Sequence, residues 1–337
     1  MNLLVRLPNW LGDTVMAVPV LASLRAAWPE ARVLAAGPWA SLLAGQGLAD
    51  TLLAYPRSWS GRLRAVDAVP GPRAELALIL PNSFEAALAA WYWGARRRVG
   101  FAAGGRSWLL TDAVARDPAR RHQVDEYLLL VERCDVAVVT REPTLTPPAL
   151  DSFERVEARG LLAEAGVVTG SGRRVGVHLG AAFGPAKLWP TPRVAAFCRL
   201  LAEGGDTPIL LGAPADADIA APIAASAPVT SLVGRDRPAL LPALLTELDV
   251  VVSGDTGIAH LAAALGVRVV TLFGPTDPQL SAPRGRATVI THPVPCAPCF
   301  YRSCPIEHPC LDGISPERVY AEIVAPTVDN AVVGASR

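Results

Sequence analysis

The chain has 337 residues, 51% hydrophobic and 18% charged, and its 31 basic residues balance its 31 acidic ones. That composition excludes a disordered chain, and zero net charge removes any overall field toward nucleic acid or an anionic membrane. No apolar run approaches the ~18 residues that a spanning helix needs.

The apolar N-terminus lacks a charged leading region, and Gly12 and Asp13 interrupt it. It therefore does not read as a signal peptide, and a cytosolic location is expected. In that compartment the six cysteines read as thiols or metal ligands and not as disulfides.

Residues 2–7 read as a strand, followed by the loop Asn9-Trp10-Leu11-Gly12-Asp13 and a helix to about residue 28, where Pro29 stops it. Strands are predicted at 32–36, 51–55, 76–80 and 99–101, with helices at 39–46, 84–94 and 122–134. The basic run Arg96, Arg97 and Arg98 leads into the fourth of these strands. Residues 140–149 break the pattern with prolines and read as a linker.

A second alternating series follows. Its strands are predicted at 174–179, 208–211, 229–233, 249–253 and 268–273, and its helices at 192–203, 216–225, 239–248 and 258–265. The expected fold class is α/β, with two Rossmann-like domains, 1–150 and 151–337, each built on a parallel doubly wound sheet. A ligand cleft is expected between them. The G-x-G-x-x-G fingerprint is absent from both halves, which argues against an NAD or FAD enzyme.

The most informative stretch is 249–278, DVVVSGDTGIAHLAAALGVRVVTLFGPTDP, which reads as strand, tight turn, helix and strand. A helix that starts beyond a parallel strand's carboxyl end sits where open α/β sheets bind ligands, and its N-terminus favours a phosphate. Asp255, Thr256, Gly257 and His260 cluster there. A capped turn accounts for Asp255 and Thr256 equally well, so the segment needs a partner site.

The loop GAAFGPAKLWP, 180–190, supplies one. Lys187 is the single lysine of the chain, all other basic residues being arginine. A compact ammonium among glycines after a parallel strand has the chemistry of a phosphate clamp, although the loop lacks the G-K-[S/T] triplet of a Walker A motif. In the first half, Asp13 opens a helix. It is either a partner for the helix dipole or a carboxylate able to take a proton from a hydroxyl.

Three motifs, RLPNWLGDTVMAVPVLASLR, GAAFGPAKLWP and SGDTGIAHLAAALGVRVVTLFGPTDP, resemble those of the ADP-heptose:lipopolysaccharide heptosyltransferases. GRSWLLTD, HQVDEYLLL and CAPCFYRSCPIEHPCLDGISPERV are most similar to the heptosyltransferase II branch. The resemblance implies an inverting GT-B glycosyltransferase. Its N-terminal domain would take the acceptor, a heptosyl-Kdo2-lipid A inner core, and its C-terminal domain would bind ADP-L-glycero-D-manno-heptose. The last helix would pack back on the N-terminal domain.

On that resemblance Asp13 is the general base, Lys187 contacts the donor diphosphate, and Asp255, Thr256, Gly257 and His260 line the donor site. No metal cofactor is implied, and the enzyme would touch the cytosolic face of the inner membrane peripherally. Two departures stand out: Leu188 where related loops often carry a basic residue, and Gly254 where Asn is frequent. Other readings of the residues alone are a GT-B enzyme for a different nucleotide-sugar, such as an epimerase, or a nucleotide-binding protein without catalysis.

A phosphorylated acceptor calls for cations on the first domain, and Arg57, Arg62, Arg97 and Arg120 are candidates, with Arg106 among the further arginines. Trp108 is a candidate for sugar or interface contact, whereas Trp91, within a helix, is expected in the core. Cys296, Cys299, Cys304 and Cys310 share one segment. Only the first pair has zinc-like spacing, so a loop of reduced thiols is favoured over a metal site.

Overall fold

A computed structural model describes residues 1–56, 59–68, 73–167, 170, 172–235 and 237–325. The chain divides into two compact units, Met1–Leu145 and Thr146–Arg337. The boundary falls inside the proline-rich stretch, where no strand or helix crosses it.

The first unit contains, in order, β1 (Asn2–Arg6), α1 (Leu11–Met16), α2 (Val18–Ala27), β2 (Arg32–Gly37), β3 (Thr51–Ala54) and α3 (Trp59–Arg64). It continues with β4 (Leu76–Ile79), α4 (Phe84–Tyr92), β5 (Arg97–Phe101), β6 (Asp112–Val114) and α5 (Gln123–Glu132). Its sheet is wholly parallel, ordered β3-β2-β1-β4-β5-β6. Leu3, Leu4 and Val5 of β1 are buried without alternation, as a strand covered on both faces requires.

The second unit runs α6 (Phe153–Glu164), β7 (Arg174–His178), α7 (Thr191–Glu203), β8 (Thr207–Leu211), α8 (Ala217–Ser226), β9 (Thr230–Ser231) and α9 (Leu241–Thr246). It ends with β10 (Val250–Gly254), α10 (Gly257–Ala264), β11 (Arg268–Phe273), α11 (Pro278–Ser281), β12 (Ala287–Thr291), α12 (Pro309–Asp312) and α13 (Pro316–Val324). The sheet order is β12-β11-β10-β7-β8-β9, again all parallel. Each unit thus repeats the doubly wound order, with its reversal between β1 and β4 in the first and between β7 and β10 in the second. At such a reversal, loops leave the carboxyl ends of two neighbouring strands in opposite directions and open a crevice.

Helix α10 ends where the sequence places its stop. Gly266, at φ 79°, donates to the Ala263 carbonyl, and Val267 N–H reaches the Ala262 carbonyl, the two bonds of a Schellman motif.

Several expectations are corrected. The predicted strand 229–233 shrinks to Thr230–Ser231, which pairs only with β8. The helix expected at 39–46 is a 3-10 turn, Ala40–Leu43. Two of the three consecutive arginines are inside β5. Trp91 is 54% exposed, and the core tryptophan of that helix end is Trp93, whose indole N–H donates to the Leu63 carbonyl. Helix α13 packs on α7 and β11 of its own unit. Among the described residues, no helix is long and apolar enough to cross a membrane.

Candidate functional site

In the second unit the loops after β7 and β10 meet. Lys187, in a 3-10 turn over Pro185–Lys187, sends its Nζ 2.5 Å from Asp255 Oδ2 and 3.1 Å from the Asp255 carbonyl. The side chains are 11% and 7% exposed. Thr276, after β11, donates to the same Oδ2 at 2.8 Å. Three strand ends therefore converge on one carboxylate.

The approach of the two loops depends on Gly254. A Cβ there would lie 2.8 Å from the Lys187 carbonyl oxygen, closer than side-chain carbons come to backbone. The glycine that departs from the expected asparagine is what lets the lysine loop close over β10.

Thr256 is the N-cap residue of α10, yet its hydroxyl does not cap the helix. It lies 2.7 Å from Ser253 Oγ, which in turn is 3.4 Å from His178 Nδ1. Gly257 opens the helix with no side chain to cover its N-terminal N–H groups. This end of α10, with its positive dipole, borders the Lys187–Asp255 pair. His178 lines the crevice with Gly180, Leu188, Ser253 and Gly254. Burial pushes its imidazole down to about 4, so it is neutral at physiological pH. His260 lies one turn into α10, 4% exposed and engaged within the fold.

In the first unit the corresponding reversal is filled by the protein itself. Arg6, at the end of β1, is fully buried, 3.4 Å from Glu85 of α4 and with its guanidinium 4.2 Å from the Tyr55 ring centroid. It also donates to Asn9 Oδ1 at 3.0 Å and to the Leu7 carbonyl, fixing the loop that leads to α1. Asp13, half-buried in the first turn of that helix, accepts a hydrogen bond of 3.3 Å from the Tyr127 hydroxyl of α5. Burial, with the Asp13 charge beside it, pushes the Tyr127 phenol well above its ordinary range, so it remains a donor.

The arginines expected to meet an acceptor have separate fates. Arg62 pairs with Glu85 at 3.7 Å and donates to the Pro56 carbonyl. Arg97 begins β5, so it lies at the sheet's amino edge, away from the carboxyl-end loops, and pairs with Asp112 at 3.0 Å. Arg120 is exposed before α5 and engaged by a neighbour. Arg57 lies outside the described residues. Arg106 is fully buried and bonds the carbonyls of Phe101, Pro81 and Ser83 and the Asn82 side chain. It holds the loop after β4, a role its sequence context did not announce. Burial pushes its guanidinium down to about 10.

In the cysteine segment Cys296 is exposed, Cys299 and Cys304 are half-buried and Cys310 is buried. Among the described residues, no three His, Cys, Asp or Glu side chains are grouped to hold a metal ion.

Comparison with known proteins places this geometry. The profile of glycosyltransferase family 9 (heptosyltransferase) matches residues 62–309. Lipooligosaccharide heptosyltransferase 2 of Haemophilus influenzae is 27% identical over 86% of this chain and 88% of its own length. Lipopolysaccharide heptosyltransferase 2 of Salmonella typhimurium is 28% identical over 84% and 85%. The solved structure of the Escherichia coli ADP-heptose lipopolysaccharide heptosyltransferase II superposes with a TM-score of 0.79 at 26% identity, covering 96% of this chain and 97% of that one. With two doubly wound units of GT-B type and a profile match over more than half its length, the chain belongs to glycosyltransferase family 9, the heptosyltransferases.

Proposed function

We propose that the enzyme transfers heptose from ADP-L-glycero-D-manno-heptose to the heptosyl-Kdo2-lipid A inner core of lipopolysaccharide, with inversion at the anomeric carbon. The observation that carries the reading is the second unit's crevice, where the sole lysine and the open N-terminus of α10 meet at two strand ends. Both groups suit a diphosphate.

In the proposed reaction an acceptor hydroxyl oxygen attacks the anomeric carbon as the bond to the donor's β-phosphate oxygen breaks. That oxygen leaves with the electron pair, and its growing charge meets donors already in place, which need no reorganisation. The hydroxyl proton passes to Asp13, whose carboxylate the Tyr127 hydroxyl holds in one orientation. Asp255 and Thr276 align Lys187, and Thr256, Gly257 and His260 shape the surrounding turn and helix.

We assign the cationic work to the protein, with no bound metal, so chelation should leave turnover intact. Arg62, Arg120 and Arg57 are the proposed contacts for the acceptor's phosphates. The enzyme would work in the cytoplasm, at the inner membrane's cytosolic face. Purified protein, ADP-heptose and heptosyl-Kdo2-lipid A test the reading: mass spectrometry should find the acceptor one heptose heavier and ADP released in equal amount. No product with this pair, but transfer from a UDP- or GDP-sugar, would overturn it.

A further inference from the structure

The Lys187 charge is already matched. Its ammonium sits 2.5 Å from the Asp255 carboxylate, so the pair offers a donor but little net positive charge to a ligand. A nucleoside diphosphate carries more than one negative charge, and the dipole of a short helix balances only part of it. The crevice calls for a second cation with no carboxylate of its own.

The cysteine segment brings one. Phe300 N–H donates to the Pro275 carbonyl after β11 at 2.8 Å, and Ala186 N–H donates to the Arg302 carbonyl at 3.0 Å. The contact at Gly184, φ 149°, is close: a Cβ there would lie 2.5 Å from the Arg302 carbonyl oxygen. The backbone of Arg302 is thus fixed against the lysine loop. Its guanidinium lies 5.4 Å from the Phe183 ring centroid, and Lys187 Nζ lies 4.7 Å from the same centroid. One aromatic ring gathers both cations.

Arg302 also differs from other arginines of the same unit. Arg173, Arg174, Arg193 and Arg235 pair with Asp206, Asp249, Asp312 and Glu164, and Arg199, Arg268, Arg286 and Arg318 donate to the backbone carbonyls of Ser226, Ile323, Gly266 and Thr291. Among the described residues, no carboxylate pairs with Arg302, and its side chain is exposed. A planar fork on the Phe183 ring, next to the lysine loop and without a counter-charge, is suited to bidentate contact with phosphate oxygens.

We infer that Arg302 is a donor-binding residue, the unpaired cation that meets the diphosphate beside Lys187 and makes the site prefer a diphosphate over a monophosphate. This rests on the proposed donor site in the second unit.

The test is calorimetric titration of AMP and of ADP into the full chain, its Arg302→Ala variant and its Arg302→Lys variant. Alanine keeps the backbone carbonyl that Ala186 bonds, and lysine keeps the charge while losing the fork. Arg302→Ala should weaken ADP by about tenfold or more while AMP changes less than twofold. Arg302→Lys should fall between the alanine variant and the parent for ADP. Equal weakening of AMP and ADP would mean a structural role, and ADP binding within twofold of the parent would mean none; either overturns the inference. If Arg302→Ala does not fold, Arg302→Lys decides alone, with an unchanged ADP affinity overturning it. A parent chain that binds no ADP would instead remove the donor site itself.

Discussion

At the strand reversal of the second unit, a lysine and a carboxylate meet beneath an open helix end; at that of the first, an arginine and a glutamate are sealed inside. The two sheets share one strand order. The difference lies in what the loops do with it. Gly254 admits the Lys187 carbonyl and Thr256 turns its hydroxyl away from α10, so backbone donors there remain available to an anion. In the first unit the fully buried Arg6 donates to Glu85, Asn9 and Leu7 and ties down the loop that leads to Asp13. On the proposed reading one fold carries an anion-binding end and a proton-accepting end, and function follows the loops more than the sheet.

The largest expected effect separates these ends. Asp13→Asn keeps the shape of the side chain but removes the proton acceptor, and turnover should fall by ~10²–10⁴-fold with the fold unchanged. Steady-state rates with thermal melting check it; a loss below about threefold would move the base elsewhere.

Next in size is Gly254→Ala, which pushes a methyl against the Lys187 carbonyl. Overpacking of this kind typically costs ~1–3 kcal/mol. Chemical denaturation should show that loss, together with weaker ADP binding. Unchanged stability and affinity would mean that the loops tolerate separation and that their contact is incidental.

The smallest is Tyr127→Phe, which deletes one hydrogen bond to Asp13. A net ~0.5–1.5 kcal/mol corresponds to roughly two- to tenfold in rate. It should appear in kcat, with ADP affinity intact. A drop as large as that of Asp13→Asn, or a change in ADP binding, would contradict a purely orienting role.

Much of this contrast was legible in the sequence because it is local. The run 249–278 encodes its strand, turn, helix and stop within one window, and the lone lysine marks its own loop. Two of the four edge strands, β6 and β12, were not legible. Asp112–Val114 has three residues, and Ala287–Thr291 pairs on one side only, so neither carries the continuous apolar run of a central strand. Helix α6 was also absent from the reading, because Phe153 and Val156 are exposed and blur its apolar face.

The site contacts that escaped are those between residues distant in sequence. The Lys187–Asp255 ion pair spans 68 positions, and the approach of Arg302 to Phe183 is set by a loop of irregular backbone with Phe300 at φ 57°. Trp91 was expected in the core, which Trp93 fills instead, because α4, FEAALAAWY, is apolar on nearly every face and its pattern does not single out the buried one.

The central claim is that donor binding and proton removal belong to different units, and calorimetric titration of ADP into two variants tests it most directly. Lys187→Arg keeps the charge but places a wide fork beside the Asp255 carboxylate, in a loop already in contact with Gly254. Losing one charge-assisted hydrogen bond, ~1.5–3 kcal/mol, should weaken ADP roughly tenfold to a hundredfold. Asp13→Asn should bind ADP within about twofold of the parent. The reverse pattern, with ADP binding abolished by Asp13→Asn and untouched by Lys187→Arg, would contradict the assignment.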